Sequence, residues 1–141
     1  MRDMVVILPN QLFQKHPCLE GRKREEVEVY LVEERRYFTD FNFHKKKLIF
    51  HRASMKAYNE YLSHRGYKVK YIEYGRDWRD EVRGRRIHIA NPYDHKLLRS
   101  LPEGTLLYDS PAFIGGDLHK KKKYLMGNYY KEQRRRLNIL M

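Results

Sequence analysis

A single cysteine, Cys18, removes several chemistries at once. One thiol cannot close an internal disulfide, complete a zinc ribbon or hold an iron–sulfur cluster. The chain also lacks G-x-S-x-G, H-E-x-x-H, C-x-x-C and the lysine-bearing phosphate loop, and no G-x-G-x-x-G is present. Its histidines are dispersed; His44 and His51 lie one heptad apart without a third placed ligand, so neither a metal site nor a catalytic residue is expected. No apolar run approaches membrane-spanning length, and no charged n-region followed by an apolar h-region opens the chain. With a lone thiol, the expectation is a soluble protein of the reducing cytoplasm with no membrane partner. Acidic residues are scarce beside basic ones, 18 against 30, for a net charge of +12. That excess favours an anionic partner such as nucleic acid, a nucleotide or an acidic protein, and is silent about fold.

What is present is a strand–helix alternation. Met4 to Leu8 is an unbroken apolar run rich in β-branched residues, the pattern of a strand buried on both faces. Pro9 ends it, having no N–H for the ladder. Val27 to Val32 is a second strand. Tyr67 to Glu73 alternates, as a strand near a sheet edge does. Arg85 to Ala90 and Thr105 to Tyr108 complete five. A helix is expected from about His44 to His64, with Leu48, Met55, Tyr58 and Leu62 at helical spacing and Gly66 closing it. Tyr37 to Phe43 has no clear period and reads as a loop. Asn91-Pro92 reads as an N-cap opening a helix over Tyr93 to Ser100. A short helix fits within Gly75 to Arg86, around the only tryptophan, Trp78, and Asp117 can cap a last helix from Leu118 to about Leu137. The class is a three-layer, Rossmann-like α/β domain over residues 1–141. Its five-stranded parallel sheet has the order 3-2-1-4-5 with right-handed crossovers.

In such a sheet ligands sit outside the carboxyl ends of the strands. That rule selects Pro9, Asn10 and Gln11 after the first strand and Glu33 and Glu34 after the second. The carboxylates can accept a ligand hydroxyl or ring N–H; the alternative is a salt bridge to Arg35 or Arg36. His51 and Arg52 fall close to the apolar stripe of the long helix. They point either at a ligand or at the backbone of a neighbouring loop. Lys120, Lys121, Lys122, Lys123, Lys131, Arg134, Arg135 and Arg136 make the last helix strongly basic, as a solvated face or a nucleic-acid surface.

Several stretches, taken in order, resemble one known family. Ile7-Leu8-Pro9-Asn10-Gln11-Leu12 is similar to its opening strand and turn, usually Leu-Gly-Asp-Gln-Leu. Val32-Glu33-Glu34 matches its second strand end, and His44 to Leu48 with His51 to Met55 its first long helix. Asp109-Ser110-Pro111-Ala112-Phe113 looks like its Asp-x-x-Phe segment, and Tyr129 to Met141 its closing helix. The resemblance is to the N-terminal, antenna-type domain of photolyase-related proteins, the prokaryotic (6-4) photolyase and iron–sulfur cryptochrome branch of the cryptochrome/photolyase family. It implies a ribityl-lumazine-type antenna near Asn10 and Glu33. Pro9 and Asn10 depart from the family's glycine and aspartate. It also implies that FAD and the iron–sulfur cluster belong to a helical domain that is not in this chain. The leading expectation is therefore half of a split light-dependent DNA-repair or photoreceptor flavoprotein, with an FAD-domain partner chain or a homo-oligomer, inactive as a DNA photolyase alone. The alternatives are a stand-alone basic module binding DNA or another nucleic acid, and a nucleotide-binding α/β enzyme.

Overall fold

The computed structural model describes residues 2–112 and 126–139. The five apolar runs form one parallel sheet from β1 (Asp3–Ile7), β2 (Val27–Val32), β3 (Lys68–Ile72), β4 (Ile87–Ala90) and β5 (Leu106–Tyr108). Their order is β3-β2-β1-β4-β5, as the sequence pattern predicts. Val5 stands opposite Val29 on one side and His88 on the other. The three inner strands are almost wholly buried, and they are apolar apart from Asp3, Glu28 and His88. At one edge, β3 exposes Lys68 and Lys70 and buries Ile72; at the other, Leu106 and Leu107 of β5 remain exposed.

The pleat sends alternate side chains of each strand into two cores. Val5, Ile7, Val29 and Leu31 pack on Met55, Tyr58 and Leu62 of α2 (Lys45–His64). On the other face Met4, Val6 and Leu8 pack with Trp78 and Val82 and with Leu97. Trp78 opens α3 (Trp78–Glu81), and Leu97 lies on α4 (His95–Arg99). Helices therefore cover both faces. His44 caps α2, its Nδ1 accepting the Lys46 N–H, and Gly66 follows the helix at φ +85°, a conformation only glycine adopts without strain.

Two local expectations are corrected. Arg36–Thr39 is a short helix, α1, where the aromatic segment reads as loop; one turn is too short for a 3.6-residue period to show. The α4 cap is Asp94, whose carboxylate accepts the N–H groups of Lys96 and Leu97. Asn91 instead accepts the Tyr93 N–H, and Tyr93 at φ +51° cannot begin the helix. Asp94 also pairs with Arg36 at 3.0 Å. Asp94→Ala is expected to lower stability by about 1–2 kcal/mol, measured by urea unfolding.

Two compact units are distinguished, residues 1–110 and 111–141. In the second, α5 spans Met126–Leu137. Asp117 and Leu118, expected at the start of the last helix, lie outside the described residues.

Candidate functional site at the carboxyl edge of the sheet

The first predicted segment is pinned where β1 ends. Pro9 is buried and Asn10 exposed. Asn10 hydrogen-bonds Tyr37, whose phenol is pushed up to about 12 by burial and by the Asp94 and Glu34 carboxylates. Gln11 is 2 % exposed, and its Nε2 donates to the Ala90 carbonyl at 2.7 Å. It ties the ends of β1 and β4 together at the point where strand order reverses. Its Oε1 is buried without a hydrogen-bond partner.

The second segment carries two buried carboxylates. Glu33 accepts Arg52 Nε at 3.1 Å and Nη2 at 2.7 Å, and also bonds the Tyr71 side chain. Glu34 accepts the Trp78 indole N–H at 2.7 Å and Arg79 Nη2 at 3.2 Å. Arg79 lies over the Trp78 ring and also donates to Ser100. Glu33 thus reaches Arg52 on α2 rather than Arg35 or Arg36. His51 is half-buried against the rings of Tyr37 and Phe38, its pKa lowered by burial and by Lys47. Ring contacts and an ion pair, not backbone bonds, occupy His51 and Arg52.

Glu33, Glu34, Trp78 and Arg79 help wall a cavity of about 340 Å³ at the carboxyl ends of β2 and β3. Glu33, Glu34 and Arg35 form one side; Tyr74, Trp78 and Arg79 form the other, joined by the Gly75–Asp77 turn. Gly75 has φ +97°, so the turn that shapes this wall requires glycine. A second, mostly apolar groove of about 310 Å³ shares Tyr74 and is lined by Phe38, Leu48, Ile49 and Arg52. The structure therefore brings Glu33, Glu34 and Arg52 together, with His51 beside them. Pro9, Asn10 and Gln11 stand toward β4, and Asn10 reaches the group only through Tyr37.

Sequence reading missed Tyr74 and Arg79, although an aromatic residue and glycine directly after an edge strand are the signal of a shaped turn. It also missed a second polar cluster. His88, 1 % exposed, lies with Nε2 3.0 Å from Asp3 and Nδ1 2.7 Å from the Tyr108 hydroxyl, and Arg22 bonds both Asp3 and Tyr108. Burial and Arg22 lower the His88 pKa against the pull of Asp3. A histidine inside a four-residue apolar strand was the available clue.

Of the basic candidates, Lys120 to Lys123 lie outside the described residues. Lys131 and Arg135 are exposed one turn apart on α5, with Asn128 and Glu132 lining the same shallow hollow. Arg134 sits over the Tyr130 ring, and Arg136 is exposed. Among the described residues no group of three or more His, Cys, Asp or Glu is placed to hold a metal ion, and no helix is long and apolar enough to cross a membrane.

The family model for deoxyribodipyrimidine photo-lyase-related proteins matches residues 5–141. The chain is also similar to the uncharacterized protein R852 of Acanthamoeba polyphaga mimivirus, 30 % identical over 174 residues, covering 100 % of this chain and 86 % of that protein.

Proposed function

Because this chain belongs to the deoxyribodipyrimidine photo-lyase-related family, we propose that it is the antenna-type domain of a split flavoprotein and takes a ribityl-lumazine-type chromophore. The observation that carries this reading is the cavity of about 340 Å³ at the carboxyl edge of β2 and β3. Its residues suit a flat, polar bicycle. Tyr74 and Trp78 offer aromatic surface, and Arg35 supplies a guanidinium with no ion-pair partner among the described residues. Glu33 and Glu34 act as the rigid wall, Glu33 held by Arg52 and Glu34 Oε2 by Trp78 and Arg79. The bound lumazine would supply light absorption and pass the excitation on. A thiolate-held iron–sulfur cluster fits poorly here: Cys18 is the one cysteine, it is buried, and burial pushes its thiol up to about 12. A partner chain bearing the helical domain supplies the cluster and the catalytic FAD in this reading, and light-dependent DNA repair or photoreception is a property of the pair.

Titration with a ribityl-lumazine, followed by chromophore fluorescence, is expected to give saturable binding. Arg35→Ala should weaken it about tenfold or more, the worth of a charge-assisted hydrogen bond. No saturation, or binding untouched by Arg35→Ala and Asn10→Ala, means the antenna site is elsewhere or absent. Affinity capture from the native cell is expected to retain a flavin-bearing chain; failure to do so removes the split-protein reading.

A second reading rests on α5, where Lys131, Arg134, Arg135 and Arg136 crowd one short helix. In it the domain binds nucleic acid through phosphates, and affinity falls steeply with salt.

A further inference from the structure

The surface formed by α1, the following segment and the first turns of α2 combines two features rarely found together on a solvated helix. Phe41 is 73 % exposed, Phe50 68 % and Ile49 57 %, and Tyr74 borders the same face. Isolated apolar residues at a surface need no explanation, but a contiguous group does. Two ring groups stand on this surface. The Phe38 and Tyr74 rings are 5.9 Å apart at the mouth of the apolar groove that Ile49 also lines. The Phe41 and Phe43 rings meet edge to face at 5.7 Å, and Lys47 Nζ lies 4.3 Å from the Phe43 ring centre. Phe50 is one turn beyond Lys46 and Lys47.

Cations rim these rings. Lys45 and Lys46 are exposed and have no acidic partner among the described residues, and Arg35 stands beside α1 in the same condition. Lys45, Ile49, Arg52 and Lys56 follow one row along α2, three cations with one apolar side chain among them. The acids nearby are committed: Asp40 to Arg36, Glu33 to Arg52 and Glu73 to Lys56.

We propose that this face binds single-stranded nucleic acid, with unpaired bases stacked on the exposed aromatic rings and the backbone phosphates on Lys45, Lys46 and their neighbours. Charge complementarity selects the occupant. A second copy would bring an identical basic rim against this one, which like-charge repulsion disfavours. Duplex DNA hides its base faces and leaves the rings without a partner. An unpaired strand offers both an anionic backbone and free π-faces. The concave groove at Phe38 and Tyr74 can admit an inserted base. The rings and lysines of this face all belong to the unit of residues 1–110, and Tyr74 and Arg35 also line the antenna cavity.

Fluorescence anisotropy of the full chain with labelled oligothymidylate, oligouridylate, a blunt duplex and phosphatidylserine vesicles tests it. Either or both single strands should bind more tightly than the duplex. Phe41→Ala with Phe50→Ala should cost about tenfold or more with an unchanged salt slope. Lys45→Gln with Lys46→Gln should weaken binding and flatten the slope of log affinity against log salt by about one. All four side chains are exposed, so the fold is expected to persist, and circular dichroism checks it. Binding that ignores the phenylalanine pair and responds only to Lys131→Gln with Arg135→Gln overturns the proposal. Equal affinity for duplex, or capture by vesicles without binding to either single strand, overturns it too.

Discussion

Acidification from pH 7 to pH 4.5 is expected to destabilise the domain by about 2–3 kcal/mol through one residue, His16. Its side chain is 2 % exposed, and its Nδ1 accepts the Cys18 N–H at 3.2 Å. That bond requires the tautomer with the proton on Nε2, and Nε2 is buried without a partner. Adding a second proton would place an uncompensated charge in the core, so burial lowers the pKa from 6.5 to about 4. The folded pKa lies below the unfolded one. The stabilisation is therefore complete above about pH 6.5 and is lost as pH falls toward 4, because the unfolded chain takes up the proton first. At about 1.4 kcal/mol per pH unit, the interval to pH 4.5 gives the quoted loss. His51 and His88, also lowered, act in the same direction. Urea unfolding at the two pH values measures the difference. His16→Asn keeps an acceptor for the Cys18 N–H and should remove most of the slope. A wild-type stability that is level across this range contradicts the assignment.

Removing Arg52 should cost about 3 kcal/mol at neutral pH. The Glu33 side chain has no exposed surface, whereas that of Arg52 is 53 % exposed, so the two partners are not equivalent. Arg52→Met strands a buried carboxylate with only Tyr71 to donate to it. Glu33→Gln in the same background removes the stranded charge and should restore much of the loss, a double-mutant cycle with strong coupling. Destabilisation that is small and additive would show that solvent reaches Glu33 after all. The lumazine titration repeated on these variants then separates the wall's stability from its affinity for a ligand.

How far the sequence carries depends on the range of the interaction being read. The run Met4–Leu8 announces a strand buried on both faces, Val27–Val32 a strand, and the alternation of Tyr67–Glu73 an edge; all three patterns are local. The order of the sheet follows from crossover handedness, which admits few arrangements. The partners of Glu33 do not follow, because Arg52 lies 19 residues away on a helix whose rotation about its axis is set by Met55, Tyr58 and Leu62. Glu34 finds Trp78 at a separation of 44 residues, through a turn held by one glycine. Gln11 was marked as a ligand contact by position, and its amide bridges to Ala90, 79 residues on. The cap of α4 shows the same limit at short range: Asn91 accepts the Tyr93 N–H, and with Tyr93 at φ +51° the N–H groups of Lys96 and Leu97 fall to Asp94.

Trp78 is the chain's only indole, and its setting makes it a built-in optical probe. It is 2 % exposed, hydrogen-bonded to Glu34, stacked by Arg79 and part of the cavity wall. Emission excited at the indole band therefore comes from one known position. In the native state it should be blue-shifted, and loss of the α3 packing should move it to the red in a single step. An absorbing bicycle seated against the same wall would drain that emission by energy transfer, since donor and acceptor would be in contact. A non-absorbing ligand would alter it only through the Glu34 hydrogen bond. One unlabelled side chain thus reports both the unfolding curves and the occupancy of the cavity.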